Sequence, residues 1–404
     1  MAEDIKQNTT CIACGSNDLV SALNLGDQPL ANSYTSANET LPTYPLHVVR
    51  CQECCHLQLT HTVPPEEIYT DYPYRAGTNK TIVEYSDWFA KYVVQQVSML
   101  PDVLDVGCND GTQLNSFKEL GCVTYGIDPA ENLYRFSSAN HDISLGFFNE
   151  ETVAKFNGVQ FDVINNQNAF AHLEDPSAFL QLAKQHLAQD GRIYISTSQA
   201  NMVLNNEFDT IYHEHISFYN IKSMKALVER NGLYLTDVIK TPIHGVSYVF
   251  EVSKSAYNSA AIDNAIAMEE LAGLYNPSTY YEWAHNVEQI AEQFKHMVFG
   301  FKEVKKQNII GYGAAAKGNT FLNYTGVKLD AVIDDSSLKQ GKYLPGSGTP
   351  IFSLQEIEQY FNLEESVFVP LAWNFFDEIQ NKLNTHLGHK ATFIRYFPKV
   401  ELVK

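Results

Sequence analysis

Short apolar runs that end in glycine or an acidic residue recur along this chain, with helical patterns between them. The first, residues 103–112 (VLDVGCNDGT), is an apolar run that breaks at Gly107 and Gly111 into a helical pattern. That is the opening strand, turn and helix of a doubly wound parallel sheet, whose ligands sit at the carboxyl ends of the strands. Residues 123–127 predict a second strand ending in Asp128, and residues 161–165 and 192–197 predict two more, so the sheet is expected to run to about residue 200. Ahead of it, Tyr85, Trp88, Phe89 and Tyr92 recur at spacings of three and four on one helix face, which is expected in the core. Residues 255–306, rich in Ala, Glu, Gln and Leu, predict helices that connect or brace two halves. A second doubly wound unit follows, with strands at 308–312 and 331–333 and a glycine turn at 311–318 (GYGAAAKG) leading into a helix. The pattern is that of an α/β protein.

Candidate chemistry lies in the turns. Gly107 and Gly111 let the backbone approach a ligand after Asp105, but Asn109 stands where G-x-G-x-x-G has its second glycine, so a pyrophosphate is not the expected ligand. Asp128, 21 residues after Gly107, is placed to accept hydrogen bonds from ribose hydroxyls. Residues 208–219 (FDTIYHEHISFY) set Tyr212, His213, Glu214 and His215 side by side. A neutral imidazole accepts a proton near pH 7, a carboxylate orients it, and a phenol donates to a developing oxyanion. A solvated turn rich in His and Glu reads the same way in isolation, and the run is not the zinc-protease H-E-x-x-H, because His215 directly follows Glu214. His172, at the end of NNQNAFAH, is expected either to face the ligand crevice or to be a buried structural histidine. Tyr72 and Tyr74 flank a proline in a loop and could reach a ligand. Lys317 in the later glycine turn favours a phosphate, against a turn that only packs a helix on its strand.

Cys11-x-x-Cys14 and Cys51-x-x-Cys54 have zinc-ligand spacing. Cys54 is preferred on spacing over the neighbouring Cys55 and His56, and four sulfurs make a closed structural site. An odd total of seven cysteines and the absence of a signal-peptide pattern point to a reduced, cytoplasmic chain. With 404 residues and 45% hydrophobic content, two or three domains with sizeable cores are expected. No apolar run approaches the ~20 residues of a membrane span. A net charge of −19 with no Lys/Arg run argues against nucleic acid as a partner. An anionic substrate then needs local cations, for which Arg75, Lys317 and Lys342 are the candidates. A monomer or weak homo-oligomer is expected.

Together, D-x-G-x-x-x-G and G-I-D-P resemble the S-adenosylmethionine site of class I methyltransferases. Over almost its whole length the chain resembles the sugar C-methyltransferases, which methylate nucleotide-linked ketosugars. The resemblance is carried, in order, by the cysteine pairs with GDQPLANSY, YPLHVVRCQECCHLQL, LDVGCNDGT with YGIDP, NAFAH, FDTIYHEHISFY, and GYGAAAKGNTFLNY followed by KQGKYLPGSGTPI. It implies a zinc-binding lobe over 1–72, a class I (Rossmann-like) methyltransferase domain over 73–254, and a helical connector with a second Rossmann-like domain over 255–404. It also implies Cys11, Cys14, Cys51 and Cys54 as zinc ligands, and Asp105, Gly107, Asn109, Gly111, Asp128 and Pro129 at the cofactor. His215 would be the base that removes the proton next to the ketone, with Tyr212 and Glu214 assisting and His172 and Tyr72 or Tyr74 lining the site. Arg75, His244 and Lys317 would meet the substrate, typically a thymidine diphosphate 4-ketohexose methylated at C3. Two departures bear on that substrate. Residues 195–198 (ISTS) replace an acidic residue followed by Val or Pro, and residues 244–249 (HGVSYV) replace H-G-G-S-L-R, losing the arginine. Both sites are expected near the sugar or its diphosphate. The competing readings are a nucleotide-sugar oxidoreductase or epimerase using the later glycine loop, a methyltransferase with another acceptor, and a noncatalytic zinc-lobed binding protein.

Overall fold

The computed structural model describes residues 5–70, 72, 74–97, 100–241 and 247–404. Near the N-terminus, Leu19–Gln28, Tyr44–Cys51 and Leu57–Leu59 form an antiparallel sheet whose alternation buries Leu23, Leu46, Val48, Leu57 and Leu59. Its fourth strand comes from far along the chain: Ser217–Phe218, directly behind the YHEH run, pairs with Leu57–Leu59.

The middle sheet has seven strands in the order Tyr234–Thr241, Ser247–Ser253, Leu187–Thr197, Phe161–Gln167, Asp102–Val106, Val123–Asp128, Asp142–Leu145. All run parallel except Ser247–Ser253, which inserts antiparallel between its two neighbours. This is the class I methyltransferase arrangement. The four expected strands are present, but the sheet continues to Ser253 rather than ending near residue 200. The edge strand Tyr234–Thr241 escapes an apolar pattern because its buried Thr236 is satisfied by the Glu251 carboxylate, 2.9 Å away, on the next strand.

Helix Lys80–Gln96, capped by the Asn79 side chain, covers one face and buries Phe89, Ala90 and Val93 against Val103, Val163, Tyr194 and Val249. Of the aromatics expected in that core, Phe89 is enclosed while Trp88 is 43% exposed. Helices Pro176–His186 and Ile221–Arg230, started by Asp175 and by an Asn220–Ser223 capping box, cover the other face.

A third sheet orders Ile351–Phe352, Ala331–Ile333, Ile309–Tyr312, Val367–Pro370, Thr392–Arg395 and Glu401–Val403, parallel except for the last strand. It is the second doubly wound unit. Helix Pro277–Phe299 braces the first and third sheets: Trp283, Val287 and Phe294 join one core with Leu23 and Val48 of the first sheet, Phe208 and Ile211 of the loop before the YHEH run, and Phe321 and Tyr396 of the third unit. No helix among the described residues is long and apolar enough to cross a membrane.

Phe321 is fully buried at the centre of that shared core, with ring centroids 3.8 Å from Tyr396 and 4.7 Å from Phe294. Phe321→Ala should therefore cost about 3–5 kcal/mol of stability, read from denaturant unfolding.

Candidate active site

A cavity of about 910 Å³ opens at the carboxyl ends of the middle strands, walled by the first and third sheets' loops. On one side Asp105 ends a hydrogen-bond chain: Tyr85 hydroxyl to Gln167 at 3.0 Å, Gln167 amide to Asn165 at 2.7 Å, and Asn165 amide to Asp105 at 2.8 Å. Gly107 has φ +78°, and a Cβ there would lie 2.9 Å from that of Ala169, so only glycine fits. The Asn109 N–H donates to Asp128 Oδ2 at 2.7 Å, and its side chain ties down Ala76 N–H and the Tyr74 carbonyl, both at 3.0 Å. Asp128 Oδ1 accepts from Ala130 N–H at 2.8 Å, and Pro129 borders the cavity beside it. Burial pushes Asp105 up to about 7, opposed by the Asn165 bond, and Asp128 to about 6, opposed by the backbone donors. Two buried carboxylates facing a void suit a ligand that brings hydroxyl or ammonium donors, as the ribose and methionine ends of S-adenosylmethionine do.

Two expected ligand contacts do other work. Gly111, at φ +83°, starts helix Thr112–Glu119, and a Cβ there would press on His141 and Ser137 at 3.1 Å, so it is a packing glycine turned away from the cavity. Arg75 borders the cavity, yet its Nε is paired with Asp110 at 2.9 Å and its guanidinium lies 3.8 Å over the Phe136 ring. It fastens the 74–78 loop to the glycine turn.

On the other side stand the groups of the YHEH run. His215 Nδ1 is 2.8 Å from the Thr210 carbonyl, which can only accept, so Nδ1 carries the proton of the neutral ring. Its Nε2 is then the lone-pair nitrogen, 3.0 Å from the Tyr212 hydroxyl. Burial and the nearby Glu214 hold the Tyr212 phenol well above its ordinary range, so it stays a donor. Glu214 accepts from Asn32 at 2.5 Å and from the Tyr72 hydroxyl at 3.2 Å, and burial pushes it up to about 7. His172 stacks between Tyr69, at 5.2 Å, and His215, at 5.3 Å, and burial lowers it to about 4, leaving a neutral ring. The His172 ring therefore lines the crevice.

His213 does not join this group. It stays off the large cavity, buried with its Nε2 3.2 Å from the Tyr44 carbonyl beside a small pocket that Glu214 and Tyr72 also border. Tyr72 is the tyrosine linked to Glu214; Tyr74 borders the other half of the cavity and is 44% exposed. Sequence reasoning missed Asn32 and Tyr69, whose hydroxyl meets the Glu214 carbonyl at 3.2 Å. Asn32 sits in the GDQPLANSY stretch and Tyr69 three residues before Tyr72, but neither residue type signals chemistry alone.

The third unit contributes Lys317, 3.9 Å from Glu207 and 5.0 Å over the Trp373 ring, and the unanticipated Lys339, 3.8 Å from Asp334. Lys342 lies outside the cavity, on the turn preceding Ile351–Phe352. In the glycine turn, Gly313 N–H is taken by the Ile333 carbonyl and Ala314 N–H by Asp334, both at 2.7 Å. Cβ atoms at Gly313 and Gly318 would lie 2.8 Å from Ala372 and 2.6 Å from Leu371. These glycines pack a helix on its strand, which is the competing reading of the turn, while Lys317 beside them borders the cavity. Of the two departures, Thr197 and Ser198 border the cavity, whereas Val249, in the missing arginine's place, is buried among Phe89 and Tyr194 on the far face. His244 lies outside the described residues.

The Sγ atoms of Cys11, Cys14, Cys51 and Cys54 all lie within 4.8 Å of one another, with Cys11–Cys54 and Cys14–Cys51 at 3.6 Å. Thiolates ~2.3 Å from a tetrahedral zinc would be about 3.8 Å apart, so the four fit that ion as a closed structural site. Cys55 instead accepts from Arg50 at 3.0 Å, and His56 faces Ser217 at 3.3 Å.

Donor hydroxyls favour ionised carboxylates, so affinity for S-adenosylhomocysteine, measured calorimetrically, should climb from about pH 5 to 8 and level off above. Asp128→Asn should lose about 10–100-fold in affinity and keep only the Asp105 step near pH 7. Stripping the metal with a chelator should release one zinc per chain and lower the unfolding temperature, because its binding energy is folding energy.

Residues 11–69 match the family model of a putative zinc binding domain, 81–238 a methyltransferase domain, and 242–398 a C-methyltransferase C-terminal domain. The C-methyltransferase NovU of Streptomyces niveus is 29% identical over 421 residues, covering 100% of this chain and 99% of its own. A ubiquinone biosynthesis O-methyltransferase of Coxiella burnetii is 23% identical over 182 residues, 41% of this chain and 77% of its own. The crystal structure of magnesium protoporphyrin IX methyltransferase from Synechocystis PCC 6803 with bound SAH aligns with 43% of this chain and 83% of its own, at 16% identity and a TM-score of 0.34, a likeness too loose to inform the chemistry. Three domain models in succession and an end-to-end relative, laid over a zinc-fitting lobe and a class I sheet, support an S-adenosylmethionine-dependent C-methyltransferase, similar over its whole length to the zinc-lobed C-methyltransferases.

Proposed function

We propose that the acceptor is a nucleoside diphosphate 4-keto-deoxysugar, deprotonated beside its ketone and methylated on that carbon, C3 being the position the family resemblance implies. The observation that carries this reading is the His215 ring, whose Nδ1 is held by the Thr210 carbonyl so that Nε2 shares a cavity with the Asp105 and Asp128 carboxylates. A ketone acidifies the neighbouring C–H, and Nε2 accepts that proton. The charge that develops on the ketone oxygen needs donors in a dry site; the neutral His172 ring borders the same cavity, and the Tyr212 hydroxyl supplies one by turning from His215 Nε2, which then takes the proton. Glu214, near neutrality in its protonation, fixes Tyr72 and Asn32 around the acceptor. S-adenosylmethionine, when bound, supplies an electrophilic methyl group.

The diphosphate would meet Lys317 and Lys339. Each already faces a carboxylate, Glu207 and Asp334, so binding exchanges partners instead of filling a free basic patch. Thr197 and Ser198, at the altered strand end, favour a variation of the sugar's substituents as the source of specificity.

Mass spectrometry of a reaction with S-adenosylmethionine and thymidine, cytidine and guanosine diphosphate 4-ketohexoses tests the reading. One methyl gain is expected on at least one of them, with the rate reduced about 10²–10⁴-fold in His215→Asn. No gain on any ketosugar, with cofactor binding demonstrated, would exclude this acceptor class.

A further inference from the structure

We propose that Asp209 is a positioning residue that sets the tautomer and aim of His215, and that the C-terminal sheet acts as the clamp holding it; the catalytic value of the clamp rests on His215 as the base. Asp209 stands immediately before Thr210, the residue whose carbonyl fixes His215 Nδ1–H. It is 2% exposed, and its Oδ2 accepts from the Trp373 indole N–H at 2.6 Å and from the Tyr396 hydroxyl at 3.1 Å. Both donors belong to the third unit, some 160 to 190 positions along the chain. Its Oδ1 has no hydrogen-bond partner among the described residues.

A buried carboxylate with one oxygen unpaired is a costly way to fill a core, since an apolar side chain would avoid the desolvation. The residue is better understood by what it fixes. The preceding residues are pinned to the same body: the Glu207 carbonyl accepts from Trp283 at 2.9 Å, and Phe208 meets Phe321 and Tyr324 at 5.9 and 5.6 Å. Beyond Thr210 the chain closes on itself, Ile211 N–H to the Phe208 carbonyl at 3.0 Å and His215 N–H to the Tyr212 carbonyl at 2.8 Å. The Thr210 carbonyl is thus held from both sides and stays aimed at Nδ1. Without the Asp209 anchor the 210–211 peptide, whose carbonyl meets Nδ1, is held only by the Ile211 N–H bond to the Phe208 carbonyl, and the ring can take the Nε2–H tautomer, in which the nitrogen beside Tyr212 has no lone pair to accept a proton. The C-terminal unit, besides the lysines it turns toward the cavity, gains a role in catalysis at a distance.

Nitrogen-15 shifts of the histidine rings, recorded on zinc-loaded full-length protein with His215→Gln to assign the signal, test the clamp without any acceptor. His215 should be in the Nδ1–H form in the wild type and in both tautomers in Asp209→Ala and Trp373→Phe. Asp209→Asn, which keeps an accepting oxygen, should stay near the wild type. With S-adenosylmethionine and a thymidine diphosphate 4-ketohexose, kcat should fall at least about 10-fold in Asp209→Ala, with both KM values within about twofold. Trp373 is only partly buried, so Trp373→Phe keeps the test decisive if Asp209→Ala fails to fold. A wild-type tautomer in the folded variants overturns the proposal. A mixed tautomer with unchanged kcat supports the clamp and instead overturns His215 as the base.

Discussion

The 2.8 Å hydrogen bond from His215 Nδ1–H to the Thr210 carbonyl is the contact on which the rest of the site depends. An imidazole has two nitrogens of nearly equal basicity, and only a fixed acceptor on one makes the other a defined base. The acceptor here is backbone, and backbone is only as rigid as what holds it. The segment from Gln199 to Tyr219 is held by all three units: Ser217–Phe218 is a strand of the first sheet, Ile216 N–H donates at 2.8 Å to the Ala171 carbonyl in the turn after the second sheet's Phe161–Gln167, and Asp209 is gripped by the third unit's Trp373 and Tyr396. The shared core around Phe321 and Phe294 joins the first and third sheets to this segment. A zinc lobe and a second doubly wound unit thus flank the methyltransferase sheet and both grip the segment that carries His215.

Burial does the electrostatic tuning. It raises Glu214 and Asp105 to about 7 and Asp128 to about 6, while it lowers His172 to about 4. The same desolvation that makes carboxylates reluctant to ionise keeps His172 neutral, so one enclosed space holds groups that exchange or donate protons near neutral pH without a strong internal charge. The cations bordering the cavity follow the same rule, with Arg75, Lys317 and Lys339 facing Asp110, Glu207 and Asp334 respectively.

Much of this was legible in the sequence. The first sheet unit, the four zinc cysteines and the Tyr212, Glu214, His215 group were marked by spacing and residue type, because strand ends, metal geometry and acid–base chemistry each demand particular residues locally. What escaped is non-local. His213 has the same chemistry as His215, and only the path of the chain turns it toward Tyr44. The glycines of 311–318 read as a phosphate loop, yet their space is taken by Leu371 and Ala372, nearly sixty residues on. Val249 replaces an arginine in the pattern but faces an apolar core. Asn32, Tyr69 and Asp209 matter through partners far along the chain, and no local pattern distinguishes them from ordinary loop residues.

The central claim, that His215 Nε2 removes the proton beside the ketone, is tested most directly by separating that step from methylation. A thymidine diphosphate 4-ketohexose incubated with the enzyme and S-adenosylhomocysteine in D₂O should gain deuterium at the carbon next to its ketone, followed by NMR. That gain should disappear in a folded, cofactor-binding His215→Asn. Exchange at an undiminished rate in the variant would contradict the account and move the base elsewhere in the cavity.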